Sequence, residues 1–338
     1  MGNDAVRISI ADLTVLLTDA LEMAGALRGP SSVARSIAMV EREGSSHHGL
    51  VKLRDYVDTL NSGWVNGQNH PVVTDGHSAV LRVDADNGFA QPVLEDVRDA
   101  LSRKARSCGI ALLSIRNSHH YSALWPDILP YARDGLLAFA FLNSRSRLAP
   151  FGGNSKLFGT NPMAFACPRL GGPPVVWDQA SSIVSAMQLV RAEKQGEELP
   201  EGIGIDRDGK PTTDPARILA GGAQLPFGAH KGSMIALTVE IMAAALTGAA
   251  FGFEDSSPNY PGAMTSNAGL SMIVIDPRAT SSAFEERVSE LCAKLAANGA
   301  ARVPGETRDP EPFHNSEYVV VDDRDFQNAT RLAARKGS

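Results

Sequence analysis

Positive charge is in short supply: 32 lysines and arginines stand against 38 aspartates and glutamates, for a formal net charge of −6. Such a chain has little with which to neutralise a phosphate backbone, so nucleic acid is not an expected partner. Cysteine is scarce too. Cys108, Cys167 and Cys292 are far apart, odd in number and in no Cys-x-x-Cys pair, which reads as reduced core thiols in a cytoplasmic protein. No apolar run spans the ~30 Å of a bilayer core: Met234 to Ala250 is broken by Thr238, Glu240 and Thr247, and Leu136 to Leu142 is too short. The first ten residues carry Asp4 and Arg7 and show no apolar stretch with a small-residue cleavage site, so neither a signal peptide nor membrane association is expected.

The glycine fingerprint of a doubly wound dinucleotide fold, Gly-x-Gly-x-x-Gly, is also missing. Gly202-Ile203-Gly204 lacks the third glycine. Gly204 to Lys210 has phosphate-loop spacing, but Pro211 stands where Ser or Thr must hold magnesium, so a charged hairpin turn is expected there.

What is present is a soluble globular composition, 43% hydrophobic and 21% charged over 338 residues, a length that exceeds one ordinary core and predicts two or three domains. Ser9-Ile10-Ala11-Asp12 has the form of a capping box, and apolar residues recur at helical spacing from Leu13 to Leu27, until Gly29-Pro30. Ser31 or Ser32 is expected to cap a second helix, and Leu50 to Leu60 lines a third. From Ser78 the pattern alternates strand and helix: strands at 79–83, 109–115, 136–142, 175–177 and 270–275, helices at 91–107, 125–134, 231–246 and 282–297, and one starting near Ser182. This alternation predicts an α/β fold. A strand at 318–321 and a last helix close the chain.

Five of the eight histidines fall in three short motifs, His47-His48, His119-His120 and Ala229-His230-Lys231. Adjacent histidines point to different sides, and neither i,i+4 histidines nor a cysteine set accompanies them, so no metal site is expected. Histidines satisfied in loops are one alternative, and acid–base chemistry beside an anion is the other. Asn117 to Tyr121 follows a buried strand, at the end where α/β sheets bind ligands. Phe158 to Pro162 and Asp178 to Ser182 place hydroxyls and amides where turns or helix starts suit anions. Phe227 to Gly232 sets Lys231 at the positive end of a helix, a position that an anion would relieve.

Glu43 to Lys52, Asn117 to Asp127, Phe158 to Pro162, Asp178 to Ser182, Gly202 to Pro215, Leu225 to Gly232 and Arg302 to Gly305 resemble the successive signatures of the malate/L-lactate dehydrogenase family of NAD(P)-dependent oxidoreductases. Ser118 to Asp127 and Leu225 to Ser233 are most similar to its Δ1-piperideine-2-carboxylate/Δ1-pyrroline-2-carboxylate reductase branch. The resemblance implies a non-Rossmann NAD(P)-binding α/β domain with its own sheet topology over residues 76–300. It further implies an N-terminal helical domain over 1–75 that carries the catalytic histidine, and a C-terminal segment over 301–338 that returns to it. A homodimer is implied, with NAD(P)H as cofactor and a small anionic carboxylate as substrate; Arg302 and Arg116, which could meet a 2′-phosphate or be solvated surface residues, lean the expectation toward NADPH over NADH. By position, His48 matches the proton donor, Lys52 the carboxylate binder, and Thr160, Ser181 and Ser182 the substrate hydroxyls. His120, Tyr121, Ser122, Ala123, Leu124, Asp178, Gln179, Ala180, His230, Lys231, Arg302, Pro304 and Gly305 match the cofactor contacts.

Three positions depart from the family: His47 replaces a serine before the catalytic histidine, Lys52 an arginine, and Gln188 an aspartate of the reductase branch. The implied activity is reduction of a cyclic α-imino acid by hydride transfer, with His48 donating the proton. A 2-hydroxy acid dehydrogenase acting on malate, lactate, sulfolactate or ureidoglycolate is the alternative, and an impaired NADP-binding protein the alternative of another class.

Overall fold

The computed structural model describes residues 5–44, 48–299, 302–306 and 317–334. Strand β1 (Ala5–Ser9) leads into α1 (Ile10–Met23), where the Ser9 hydroxyl accepts from the Asp12 amide as the capping pattern requires. The helix stops before Leu27, because Gly25 turns the chain at φ +100. Pro30 opens α2 (Pro30–Arg42) in place of a serine cap, its fixed φ suiting the first helical position, with left-handed Gly29 before it. A 3-10 turn at Leu50–Lys52 enters α3 (Leu53–Asn61). Leu13, Leu17, Leu21, Ile37, Leu53 and Tyr56 close these helices into one apolar cluster.

The chain then forms β2 (Val72–His77), β3 (Val80–Phe89), α4 (Ala90–Cys108), β4 (Ile110–His119), α5 (Trp125–Arg133), β5 (Leu137–Leu142), β6 (Met163–Cys167) and β7 (Val175–Gln179). Next come α6 (Ala186–Gln195), a hairpin of β8 (Gly204–Ile205) and β9 (Pro211–Thr212), α7 (Pro215–Leu219), β10 (Ala223–Gln224) and α8 (His230–Glu240), which runs on into a π turn at Ile241–Ala245. β11 (Ala268–Ile275), α9 (Phe284–Ala297), β12 (Tyr318–Asp322) and α10 (Asp323–Ala333) follow. The Gly204 to Lys210 segment is thus part of a hairpin, with Gly209 at φ +77 in its turn.

A sheet of order β2-β3-β4-β11-β5-β6-β7 forms the centre. Helix–strand alternation would ordinarily give a parallel sheet, yet only β3 and β4 pair in parallel and every other neighbour is antiparallel. The period of two sorts each strand. Ala138, Ala140 and Leu142 of β5 meet the α4 and α5 side with Val93, Leu101 and Leu129, while Phe139 and Phe141 meet Val239 and Ala243 on the other face. β1 pairs antiparallel with β12, and Val319, Val321 and Leu332 enter the helical core, so the two ends of the chain meet. One expectation about the thiols fails. Cys167 and Cys292 are buried, but Cys108 is exposed at the last residue of α4, where the helix leaves the core for Gly109.

Candidate active site

The turn bearing His48 is held from beneath by α2. Glu41 accepts the Leu50 amide at 2.6 Å, and a Cβ at Gly49 would run into that same Glu41 side chain, so only glycine fits beside His48. Burial pushes the Glu41 carboxyl above its usual range against the Leu50 amide, and Asp325 and Asp322 of the C-terminal elements add to the rise. The His48 carbonyl accepts from the Ser122 hydroxyl at 3.2 Å, which joins the turn to the segment after β4. His47 lies outside the described residues.

β4 ends at His119, and His120, the next residue, points the other way. His119 is fully buried; its Nδ1 lies 2.8 Å from the Thr265 hydroxyl and its Nε2 2.9 Å from the Asn87 side-chain oxygen. Burial lowers its pKa to about 3, so the ring is neutral. Asn267 joins the same cluster, donating to Asn87 at 2.7 Å and to Asn117 at 2.6 Å. Met264 and Ser266, on either side of Thr265, line the cavity. His120 instead faces that cavity and gives its Nε2 hydrogen to Asp127 at 2.7 Å, which leaves Nδ1 toward the Ser122 amide at 3.5 Å. The Leu124 amide donates to Asp178 at 3.0 Å, tying the 120–124 turn to β7.

The opposite wall is organised by a buried carboxylate. Glu240, 3% exposed at the end of α8, accepts from Asn143 at 3.1 Å, from Asn161 at 2.6 Å and from the Gly252 amide at 2.6 Å. Asn161, left-handed at φ +41, immediately follows Thr160, and its side-chain oxygen takes the Ser144 amide at 3.3 Å. The Ser181 amide donates to the Thr160 carbonyl at 2.7 Å. Thr160 is thereby presented to the cavity by groups on α8 and on the segments that follow β5 and β7.

These walls enclose about 530 Å³, within the range of small-molecule sites. The cavity gathers His48, Lys52, Thr160 and Ser182 with His120 to Leu124 and Asp178 to Ala180. Lys52 is 2% exposed rather than an outward lysine of α3; its Nζ lies 3.3 Å from Asp55 and 4.2 Å from the centre of the Tyr121 ring. Several expected residues lie outside this lining. Ser181 spends its hydroxyl on the Asn161 carbonyl at 3.0 Å. Gln188 is exposed, and its side-chain oxygen accepts the Ser185 amide at 2.7 Å in a capping box that starts α6, so its side chain is engaged in the helix cap. His230 and Lys231 are exposed in the first turn of α8, the His230 ring 6.1 Å from that of Phe151. Exposed Arg302 and Pro304 and buried Gly305 run along β7, where the Pro304 carbonyl accepts the Val176 amide at 3.2 Å. Arg145 and Arg147 in the cavity wall, Asp127 behind His120 and the Glu240 hub were missed. No motif marks Arg145, Arg147 or Glu240, which act through segments distant in sequence, whereas Asp127 ends the Ser118 to Asp127 motif only seven residues after His120.

A nicotinamide ring, its ribose and a small acid fit a half-apolar cleft of this size. The Ser144 hydroxyl, buried in its wall without a hydrogen-bond partner, offers one unused polar group. Among the described residues no helix is long and apolar enough to cross a membrane, and no group of three His, Cys, Asp or Glu residues is placed to hold a metal.

Residues 8–315 match the model of a family described as malate/L-lactate dehydrogenase. A Δ1-pyrroline-2-carboxylate/Δ1-piperideine-2-carboxylate reductase from Pseudomonas putida is 44% identical over 97% of each chain. A (2R)-3-sulfolactate dehydrogenase (NADP+) from Chromohalobacter salexigens is 37% identical over 89% of this chain and 90% of that one. Among solved structures, a Δ1-piperideine-2-carboxylate reductase from Pseudomonas syringae pv. tomato superposes with a TM-score of 0.92 at 42% identity, covering 97% of this chain and 99% of the other.

Proposed function

The chain belongs to the malate/L-lactate dehydrogenase family of oxidoreductases, and we propose that it reduces a cyclic α-imino acid, Δ1-pyrroline-2-carboxylate or Δ1-piperideine-2-carboxylate, to the L-amino acid. The observation that carries this reading is the full-length similarity to such reductases in a chain whose cavity unites His48, Lys52 and Thr160 with the 120–124 and 178–180 segments. NADPH is the proposed cofactor over NADH, with Arg302 available to a 2′-phosphate; Arg116 pairs with Asp84 at 3.0 Å and lies outside the cavity lining. When bound, the nicotinamide supplies a hydride for the imine carbon.

His120 to Leu124 and Asp178 to Ala180 would hold the cofactor, with His230, Lys231 and the 302–305 segment completing the contacts. His48 donates the proton to the substrate nitrogen or keeps it as the iminium. His120 is the poorer candidate for that proton because its Nε2 hydrogen is committed to Asp127, which makes it an anchor for the Ser122 turn. Lys52 and Thr160 lie on the carboxylate side, with Ser182 beside them donating its hydroxyl to the Val184 carbonyl at 2.7 Å, and the apolar wall at Trp125, Leu142 and Phe227 limits water near the imine. We also propose a homodimer working in the cytoplasm, a reading supported by three free thiols and by an exposed apolar face on α8.

The test is side-by-side kinetics with NADPH and NADH, using both imino acids, pyruvate and oxaloacetate. Faster turnover of an imino acid is expected. Preference for a 2-oxo acid would favour the hydroxy acid dehydrogenase reading, which the sulfolactate dehydrogenase relative keeps as second. Cofactor binding without turnover of any of them would mark an impaired binding protein.

A further inference from the structure

The chain leaving β5 brings two arginines, Arg145 and Arg147, to the wall that the cavity shares with a neighbouring pocket lined by Lys156, Phe253 and Asp255. The Arg147 amide donates to the Phe158 carbonyl at 2.8 Å, so its segment lies against the one that presents the Thr160 hydroxyl two residues later. The Arg145 amide donates to the Ser266 hydroxyl at 3.3 Å and its Nη2 to the Met264 carbonyl at 3.2 Å. Among the described residues neither guanidinium lies within ion-pair distance of a carboxylate. Burial, and then the charge of Arg145, hold the Arg147 pKa below the usual arginine value, with Tyr121, Asp255 and Asp55 acting the other way. Two cations in a partly dry cleft without a counter-ion are costly, and an anion between them relieves the cost.

Lys52 faces the same cavity with its charge already shared between Asp55 and the Tyr121 ring. An ammonium also lacks the planar pair of parallel donors that fits a carboxylate. We infer that Arg147, with Arg145 beside it, grips the substrate carboxylate through its planar fork, and that Lys52 sets the charge and the Tyr121 ring of the adjoining wall. The inference rests on the reading of the substrate as a carboxylate-bearing imine. It makes Arg147 the residue that restores, from another segment, the fork lost at position 52.

The test compares binding of pyrrole-2-carboxylate and of pyrrole-2-carboxamide to NADPH-saturated protein, in wild type, Arg147→Gln and Arg147→Lys. Wild type is expected to prefer the carboxylate by at least ~10-fold, and Arg147→Gln to lose that preference. Its KM for Δ1-pyrroline-2-carboxylate should rise ~10–100-fold, with kcat within about threefold and NADPH affinity unchanged. Arg147→Lys keeps the charge without the fork and should recover only part of the preference. If Arg147→Gln keeps the wild-type preference, the inference is overturned; lost NADPH affinity with the preference intact also overturns it and assigns the arginines to a cofactor phosphate. Should Arg147→Gln fail to fold, as judged by circular dichroism, a full wild-type preference in Arg147→Lys overturns it equally. A wild type indifferent to the carboxylate would instead contradict the functional reading beneath it.

Discussion

On the proposed role of His48 as proton donor, removing its imidazole should cost rate more than binding. His48→Ala is expected to lower kcat by ~10²–10⁴-fold with NADPH affinity retained, measured by steady-state kinetics and nucleotide fluorescence. A rate within about threefold of wild type would move the role to His120. His119, one residue away from His120, acts through structure instead. Its burial depresses the folded-state pKa to about 3 from an unfolded value of ~6.5, so protonation favours the unfolded chain. The neutral ring's contribution is complete above ~6.5 and is lost as pH falls toward 3, by up to ~1.4 kcal/mol per pH unit. Urea midpoints should therefore fall between pH ~7.5 and ~5, and His119→Asn should flatten that dependence; an equal slope in the variant would place the titration elsewhere. The histidine motifs themselves are readable in the chain as short local runs. Arg147 and Glu240 are not, since their meaning comes from partners that only folding brings near.

At the scale of elements, α8 presents the substrate wall through one side chain. Glu240 satisfies two asparagines and the Gly252 amide, and each donor it leaves unmet inside the protein costs ~1–3 kcal/mol. Glu240→Gln has one acceptor oxygen for these donors and is expected to lower stability by ~1–3 kcal/mol and raise KM through a displaced Thr160. Unchanged urea stability together with unchanged KM would show that the hub is dispensable.

Elements with local signals were legible. The Ser9 cap, the hairpin at Gly209 and the apolar spacing of α3 are all set by neighbours a few residues away. β1, β2 and β6 were not. β1 finds its partner in β12 at the far end of the chain, β2 is exposed throughout, and β6 draws its identity from lying between β5 and β7. The same reasoning explains the sheet: alternation identifies strands and helices, but the direction of each crossover is a long-range outcome.

At the scale of the whole molecule, Met234, Leu237 and Ile241 recur at helical spacing on α8 and its π turn with exposures of 55%, 40% and 51%, an apolar face without cover in the single chain. If a second copy covers it, Leu237→Asp should shift the protein from dimer to monomer in analytical ultracentrifugation. Dimers of unchanged stability in that variant would place the interface on another face.

The most direct test of hydride delivery to an imine carbon is isotopic. The protein is supplied with NADPH deuterated at the transferred position of the nicotinamide and with Δ1-pyrroline-2-carboxylate, and the product is analysed by mass spectrometry and chiral chromatography. L-Proline carrying one deuterium at C2 is the expected product. Proline without the label, or a labelled 2-hydroxy acid formed faster from a 2-oxo acid under the same conditions, would contradict it.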